Sequence, residues 1–190
     1  MRFFYFLIIL SFTLISCASK TYPLPNQLNE ISGIDNASLN TYFSINDSGD
    51  APFIYVLGED DGSILHKIFV SGAKNIDWED ISCYGSDLYI GDIGNNLNDR
   101  KELCIYRVRI NCCPLIINAT DPFIDTLRAE PLWFSYPDQK AFPPEESRMN
   151  FDSEALTYAD GKLLILSKDR SKPYKGLCKI YEVDLSNTPS

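Results

Sequence analysis

Histidine is almost missing from this chain: His66 is the only one among 190 residues. A serine hydrolase of the Ser-His-Asp type needs a histidine beside its nucleophile. Ser48 has neither such a partner nor a Gly-x-Ser-x-Gly turn around it. A zinc site needs several Cys or His ligands at suitable spacing, and no Cys-x-x-Cys occurs. Helical periodicity is lacking too, since no long stretch repeats its apolar residues every 3.6 positions. Basic charge is short, with 17 Lys and Arg against 26 Asp and Glu. That balance argues against nucleic acid, whose affinity depends on neutralised phosphates, and against electrostatic attachment to anionic lipid. It suits cations, and it also simply keeps a protein soluble.

A long hydrophobic run occurs once, from Phe3 to Ile15. It falls short of the roughly 20 residues of a membrane span. With Arg2 before it, the run fits the apolar region of an export signal. Leu14-Ile15-Ser16-Cys17 then matches a bacterial lipobox, in which cleavage precedes a cysteine that becomes lipidated. The organisation expected is a signal over residues 1–16, a lipidated Cys17 and tether over residues 17–28, and one domain over residues 29–190. Lipid on Cys17 anchors the chain to the outer side of a membrane without spanning it. Five cysteines then remain, an odd number. Cys83, Cys104 and Cys178 fall in strand-like contexts and are expected to be buried, while the pair Cys112-Cys113 is the candidate for oxidation.

What the chain has in quantity is strand signal, organised as a repeat. Glu30 begins Glu-Ile-Ser-Gly-Ile, Glu79 begins Glu-Asp-Ile-Ser, and Glu154 begins Glu-Ala-Leu-Thr. Each glutamate opens a short strand, followed by a second strand ending in polar residues and a third built around an Ile-Tyr pair. The first unit reads as strands at Glu30–Ile34, Thr41–Ile45, Phe53–Leu57 and Ile64–Val70. The second runs Glu79–Cys83, Asp87–Ile90, Leu103–Arg109 and Pro131–Tyr136. The third has Glu154–Tyr158, Leu163–Leu166 and Cys178–Asp184. Gly62 suits a hairpin turn with positive φ, and Asp160-Gly161 a tight turn. Four antiparallel strands per unit, repeated, describe an all-β chain built of β-propeller blades. Two full blades and most of a third do not close a ring, so the expectation is a partial propeller, about three blades of a longer one. A β-sandwich is the alternative.

The stretches Asn46-Asp47-Ser48-Gly49-Asp50, Asp77-Trp78-Glu79-Asp80-Ile81, Tyr89 to Asn96, Ile105-Tyr106-Arg107-Val108 and Ser153-Glu154-Ala155-Leu156 together resemble a group of secreted or lipid-anchored bacterial β-propeller proteins. The resemblance covers nearly all of residues 28–184. It implies a propeller that continues past this chain's last residue, and it carries no established activity. The segment Gln139–Met149 departs from the pattern, as an insertion where a short loop is expected.

In such a fold Glu30, Glu79 and Glu154 converge at one mouth of a channel. Three carboxylates close together repel unless a cation, a proton or a basic side chain intervenes. Calcium takes 6–8 oxygen ligands, so the three glutamates with Asp47, Asp92 and Asn95 are its candidate ligands. The bland alternative is that each glutamate caps backbone amides or pairs with a base, Lys168 being the base best placed. Trp78 beside Glu79 either stacks on a ring-bearing ligand or packs in the core. The leading functional reading is a membrane-anchored module that binds a cation, a small molecule or a protein partner at the acidic mouth. The alternative is a calcium-dependent hydrolase of lactones or phosphoesters, with Asp92 or Lys168 as acid–base group.

Overall fold

The computed structural model describes residues 21–38, 40–110 and 124–185. The lipobox and Cys112-Cys113 lie outside them. Eleven β-strands follow one another: β1 (Ile31–Ser38), β2 (Thr41–Asn46), β3 (Phe53–Gly58), β4 (Ile64–Ser71), β5 (Trp78–Tyr84), β6 (Asp87–Asp92), β7 (Leu103–Arg109), β8 (Ile124–Phe134), β9 (Asp152–Ala159), β10 (Lys162–Lys168) and β11 (Ile180–Asp184). Two single 3₁₀ turns, Asn26–Leu28 and Glu146–Arg148, complete the regular structure of the described residues. The chain is all-β, and among the described residues no helix is long and apolar enough to cross a membrane.

The strands do not assemble as separate blades, which corrects the propeller expectation. The first eight form one sheet in the order β1-β2-β3-β4-β8-β7-β6-β5, and β9 to β11 form a second, three-stranded sheet. The joining element is β8, eleven residues long and so nearly twice the length read for the outer strand Pro131–Tyr136. Its first half runs parallel to β4, Lys67 opposite Ile124 through Ser71 opposite Arg128. Its second half runs antiparallel to β7, Val108 opposite Ala129 through Leu103 opposite Phe134. Had the two units stood apart, β4 and β8 would each present a row of unpaired N–H and C=O groups. Pairing them satisfies both rows and fuses the units into one mixed sheet.

The two ends of that sheet, β1 and β5, come back against each other, so the sheet is nearly closed and barrel-like. No ladder joins them. Side chains do so instead: Ser32 Oγ donates to the Trp78 carbonyl at 3.0 Å, and Asp35 Oδ2 accepts the Cys83 N–H at 2.6 Å. Strand β5 meets β9 on its other side in the same way. Asp80 Oδ2 accepts the Leu156 N–H at 2.8 Å and Ser82 Oγ accepts the Tyr158 N–H at 3.0 Å. Backbone groups on the edges of β5 and β9 thus find partners without sheet pairing.

The main core fills the space between the two halves of the large sheet. It is built from Phe43, Ile45, Ile54, Val56 and Ile68 on one side and Trp78, Ile81, Leu88, Ile90 and Tyr106 on the other. Burying one such aliphatic side chain contributes roughly 1.5–3 kcal/mol. The opposite face of β6 and β7, with Tyr89 and Ile105, packs on Leu156, Leu163 and Ile165 of the small sheet. Both faces of these strands are covered, which explains why Leu88-Tyr89-Ile90 reads as a continuous apolar run. Leu28, in the stretch before β1, is buried with Tyr55 and Leu57. Cys104 is buried and Cys83 half-buried, whereas Cys178 is exposed because β11 starts two residues later. The turn glycines have the expected conformation, with φ of +67° at Gly62 and +83° at Gly161.

Candidate functional site

Strands β1, β5 and β9 lie side by side, and their starts carry Glu30, Glu79 and Glu154. Around Glu79 the chain gathers acids from three segments. Asn75 organises them: its amide nitrogen donates to the carbonyls of Asn46 at 3.1 Å and Asp47 at 2.8 Å, and its Oδ1 accepts the Trp78 N–H. This ties the turn after β2 to the start of β5. Asp92, at the end of β6, accepts the Asp77 N–H at 3.0 Å, and the Asp77 carbonyl accepts the Gly94 N–H at 3.1 Å. The end of β6 is thereby fixed beside the same spot.

The outcome is a cluster of Asp47, Asp77 and Glu79, each half-buried, whose carboxylate oxygens lie within 4.8 Å of one another. Gly94 closes one side of it. A Cβ at Gly94 would collide with the carboxylates of Asp77 and Glu79, so a residue lacking one leaves them their room. Burial, then the charges of Glu154, Asp47 and Asp77, push the Glu79 carboxyl up to about 8. Burial and the Asp47 charge push Asp77 up to about 6, against the opposing pull of Arg100. Both shifts have the same two causes, burial first and the crowding of negative charge second.

The six expected cation ligands therefore separate. Asp47 and Glu79 meet. Glu154 lies close enough to raise Glu79, but its own charge is opposed by Lys168 at 3.0 Å and Arg170 at 3.2 Å. Lys168 is thus the partner of Glu154. Glu30 is exposed and lines a different pocket with Asp50, Tyr55 and Lys67. Asp92 is fully buried and paired with Arg100 at 3.0 Å. Asn95 is also buried, its amide donating to the Phe151 carbonyl and accepting the Arg100 N–H. Both serve the backbone around the cluster. Trp78 is wholly buried, tilted against Tyr106 with ring centroids 6.2 Å apart, and its indole N–H donates to the Lys74 carbonyl. It offers no face to a ligand.

Asp77 is the member that the repeat did not single out. It precedes the strand, outside the Glu-led stretches by which the repeat was read. Its signal was only its place in the acidic stretch Asp77-Trp78-Glu79-Asp80.

No family model matches the chain, and no curated protein matches it. Among solved structures, the computationally designed Ika4 protein aligns over 88% of this chain and 99% of its own, at 11% identity and a TM-score of 0.38, a likeness too slight to carry an argument.

Proposed function

We propose that the chain is a lipid-anchored binding protein of the bacterial cell envelope that takes a divalent cation at Asp47, Asp77 and Glu79. The observation that carries the reading is the convergence of three half-buried carboxylates, one oxygen of each within 4.8 Å of the others, with no basic side chain paired to them among the described residues. The neighbouring bases are engaged elsewhere, Arg100 with Asp92, Lys168 with Glu154, and Arg170 with Asp152 and Glu154. A hard cation with oxygen ligands, calcium first, fits such a set and replaces the proton that Glu79 otherwise holds near neutral pH. The anchor reading rests on Cys17 and the apolar run before it. The hydrolase alternative also needs an acid–base group free to act beside the ion. Its two candidates, Asp92 and Lys168, are held in ion pairs, so nothing favours it.

The test is thermal unfolding of the full chain in mild detergent at pH 8, with EDTA and then with rising calcium. A saturable rise in Tm, absent from Glu79→Gln, is the expected result. No response to calcium, magnesium or manganese in the wild-type chain overturns the cation reading.

A further inference from the structure

A second cavity lies away from the acidic cluster, with a volume of about 420 Å³. That is within the range of small-molecule pockets. One wall is the insertion Gln139–Met149 and the other the segment after β10. Gln139 Nε2 donates to the Asn98 carbonyl at 2.8 Å and fixes the start of the first wall. The Arg170 N–H donates to the Met149 carbonyl at 2.6 Å and the Lys172 N–H to the Glu146 carbonyl at 2.8 Å, joining the two. The second wall folds around the buried carboxylate of Asp169, which accepts the N–H groups of Ser171 at 2.8 Å, Lys175 at 2.9 Å and Leu177 at 3.2 Å. Hydrogen bonds from the Ser171 side chain and from these amides hold the Asp169 carboxyl below its ordinary range. The cavity is a built feature, not a gap between loose loops.

Its charge runs against the rest of the protein. Lys140, Arg148, Lys175 and Lys179 line it, with Asp138 and Glu145 as the acids. Lys179 is paired with Asp138 at 2.7 Å and lies 3.6 Å from the centre of the Phe151 ring. The other three have no carboxylate partner among the described residues. Lys140 Nζ donates to the Pro137 carbonyl at 2.6 Å and Lys175 Nζ to the Ser147 carbonyl at 2.7 Å, both neutral acceptors. Arg148 is exposed, and its guanidinium makes no ion pair among the described residues. Glu145 alone stands against these three cations in the described wall.

We propose that this cavity binds a small anion by an oxyanion head group, a carboxylate or a phosphate. Arg148 supplies the planar fork, and Lys140 and Lys175 supply flanking point charges. Ala141, Pro144 and Leu177 line the same cavity and meet the less polar part of the ligand.

The test is calorimetric titration of the full chain in mild detergent and EDTA, with inorganic phosphate in one arm and succinate in the other. Saturable binding of at least one probe is expected, weakened by added salt. The tighter arm names the head group. Arg148→Gln and Lys175→Gln each weaken it about tenfold while Tm without probe stays unchanged. Glu145→Gln, at an exposed position, strengthens it and gives a readout independent of any loss of fold. No saturable heat from either probe overturns the proposal. So does binding that all three substitutions leave unchanged.

Discussion

Gly33 on β1 touches the backbone of Asp80 on β5: a Cβ at Gly33 would stand 2.8 Å from the Asp80 Cα and 2.8 Å from the Ile81 nitrogen. Here the two ends of the large sheet meet backbone against backbone. It lets the sheet return on itself without a ladder, and the Ser32 and Asp35 bonds to β5 depend on it.

Gly33→Ala is expected to destabilise the fold by about 2 kcal/mol or more, because the atoms it meets are backbone and have nowhere to go. Gly58→Ala is the comparison, since the three atoms nearest a Cβ there belong to the side chains of Asp61, Ser63 and Leu65, the nearest at 3.3 Å. Denaturant unfolding of both variants checks the contrast. Equal losses would mean that the contact between β1 and β5 is dispensable.

The acidic cluster sets a pH dependence of defined sign. Unfolded, Asp77 and Glu79 titrate near 4, whereas in the fold they titrate near 6 and 8. The folded state therefore holds its protons more tightly than the unfolded state. That stabilisation is complete below about pH 4 and is lost as pH rises through about 6 and then 8. In EDTA, Tm is expected to fall across this window. Glu79→Gln should remove the upper part of the slope and raise Tm at pH 8 by roughly 2–4 °C, about 1 kcal/mol once solvent screening is allowed for. A scan with the same slope in wild type and variant would show that Glu79 titrates normally.

Arg100 is the counter-charge of a buried acid. Asp92 is fully buried, pairs with Arg100 through Oδ1, and its Oδ2 has no hydrogen-bond partner. Arg100→Ala strands that charge and is expected to cost about 3–5 kcal/mol in urea unfolding at neutral pH. Adding Asp92→Asn should recover a large part of the loss. Burial already pushes the Asp92 carboxyl upward, so a cost below about 1 kcal/mol would mean that Asp92 is carried protonated.

Much of the strand pattern was legible. Leu103–Arg109 forms a strand with the bounds read from the repeat, and Thr41 to Asn46 differs from its reading by one residue. The turn glycines were legible because positive φ restricts the choice of residue. Strand β8 was read only from Pro131, since Pro137 and Pro131 dominate that region. The seven residues before Pro131 and their parallel partner β4 left no local mark. At the site, Glu79 and Asp47 were legible as acids at strand ends. Asp77 was not, because its partners come from residues 30 positions back and 15 positions ahead.

The sequence by itself determined where strands run, where they turn, which faces are apolar, and that acids crowd the strand starts. These follow from period-two alternation and from backbone restrictions, both local to a few residues. The tertiary structure alone decided that the repeated units fuse through β4 and β8 into one sheet, and that Asp77 takes the place expected of Glu30. Alternation fixes the face a side chain occupies but not the strand that pairs beside it. That choice is made by satisfying the backbone groups of edges that lie far apart in the chain.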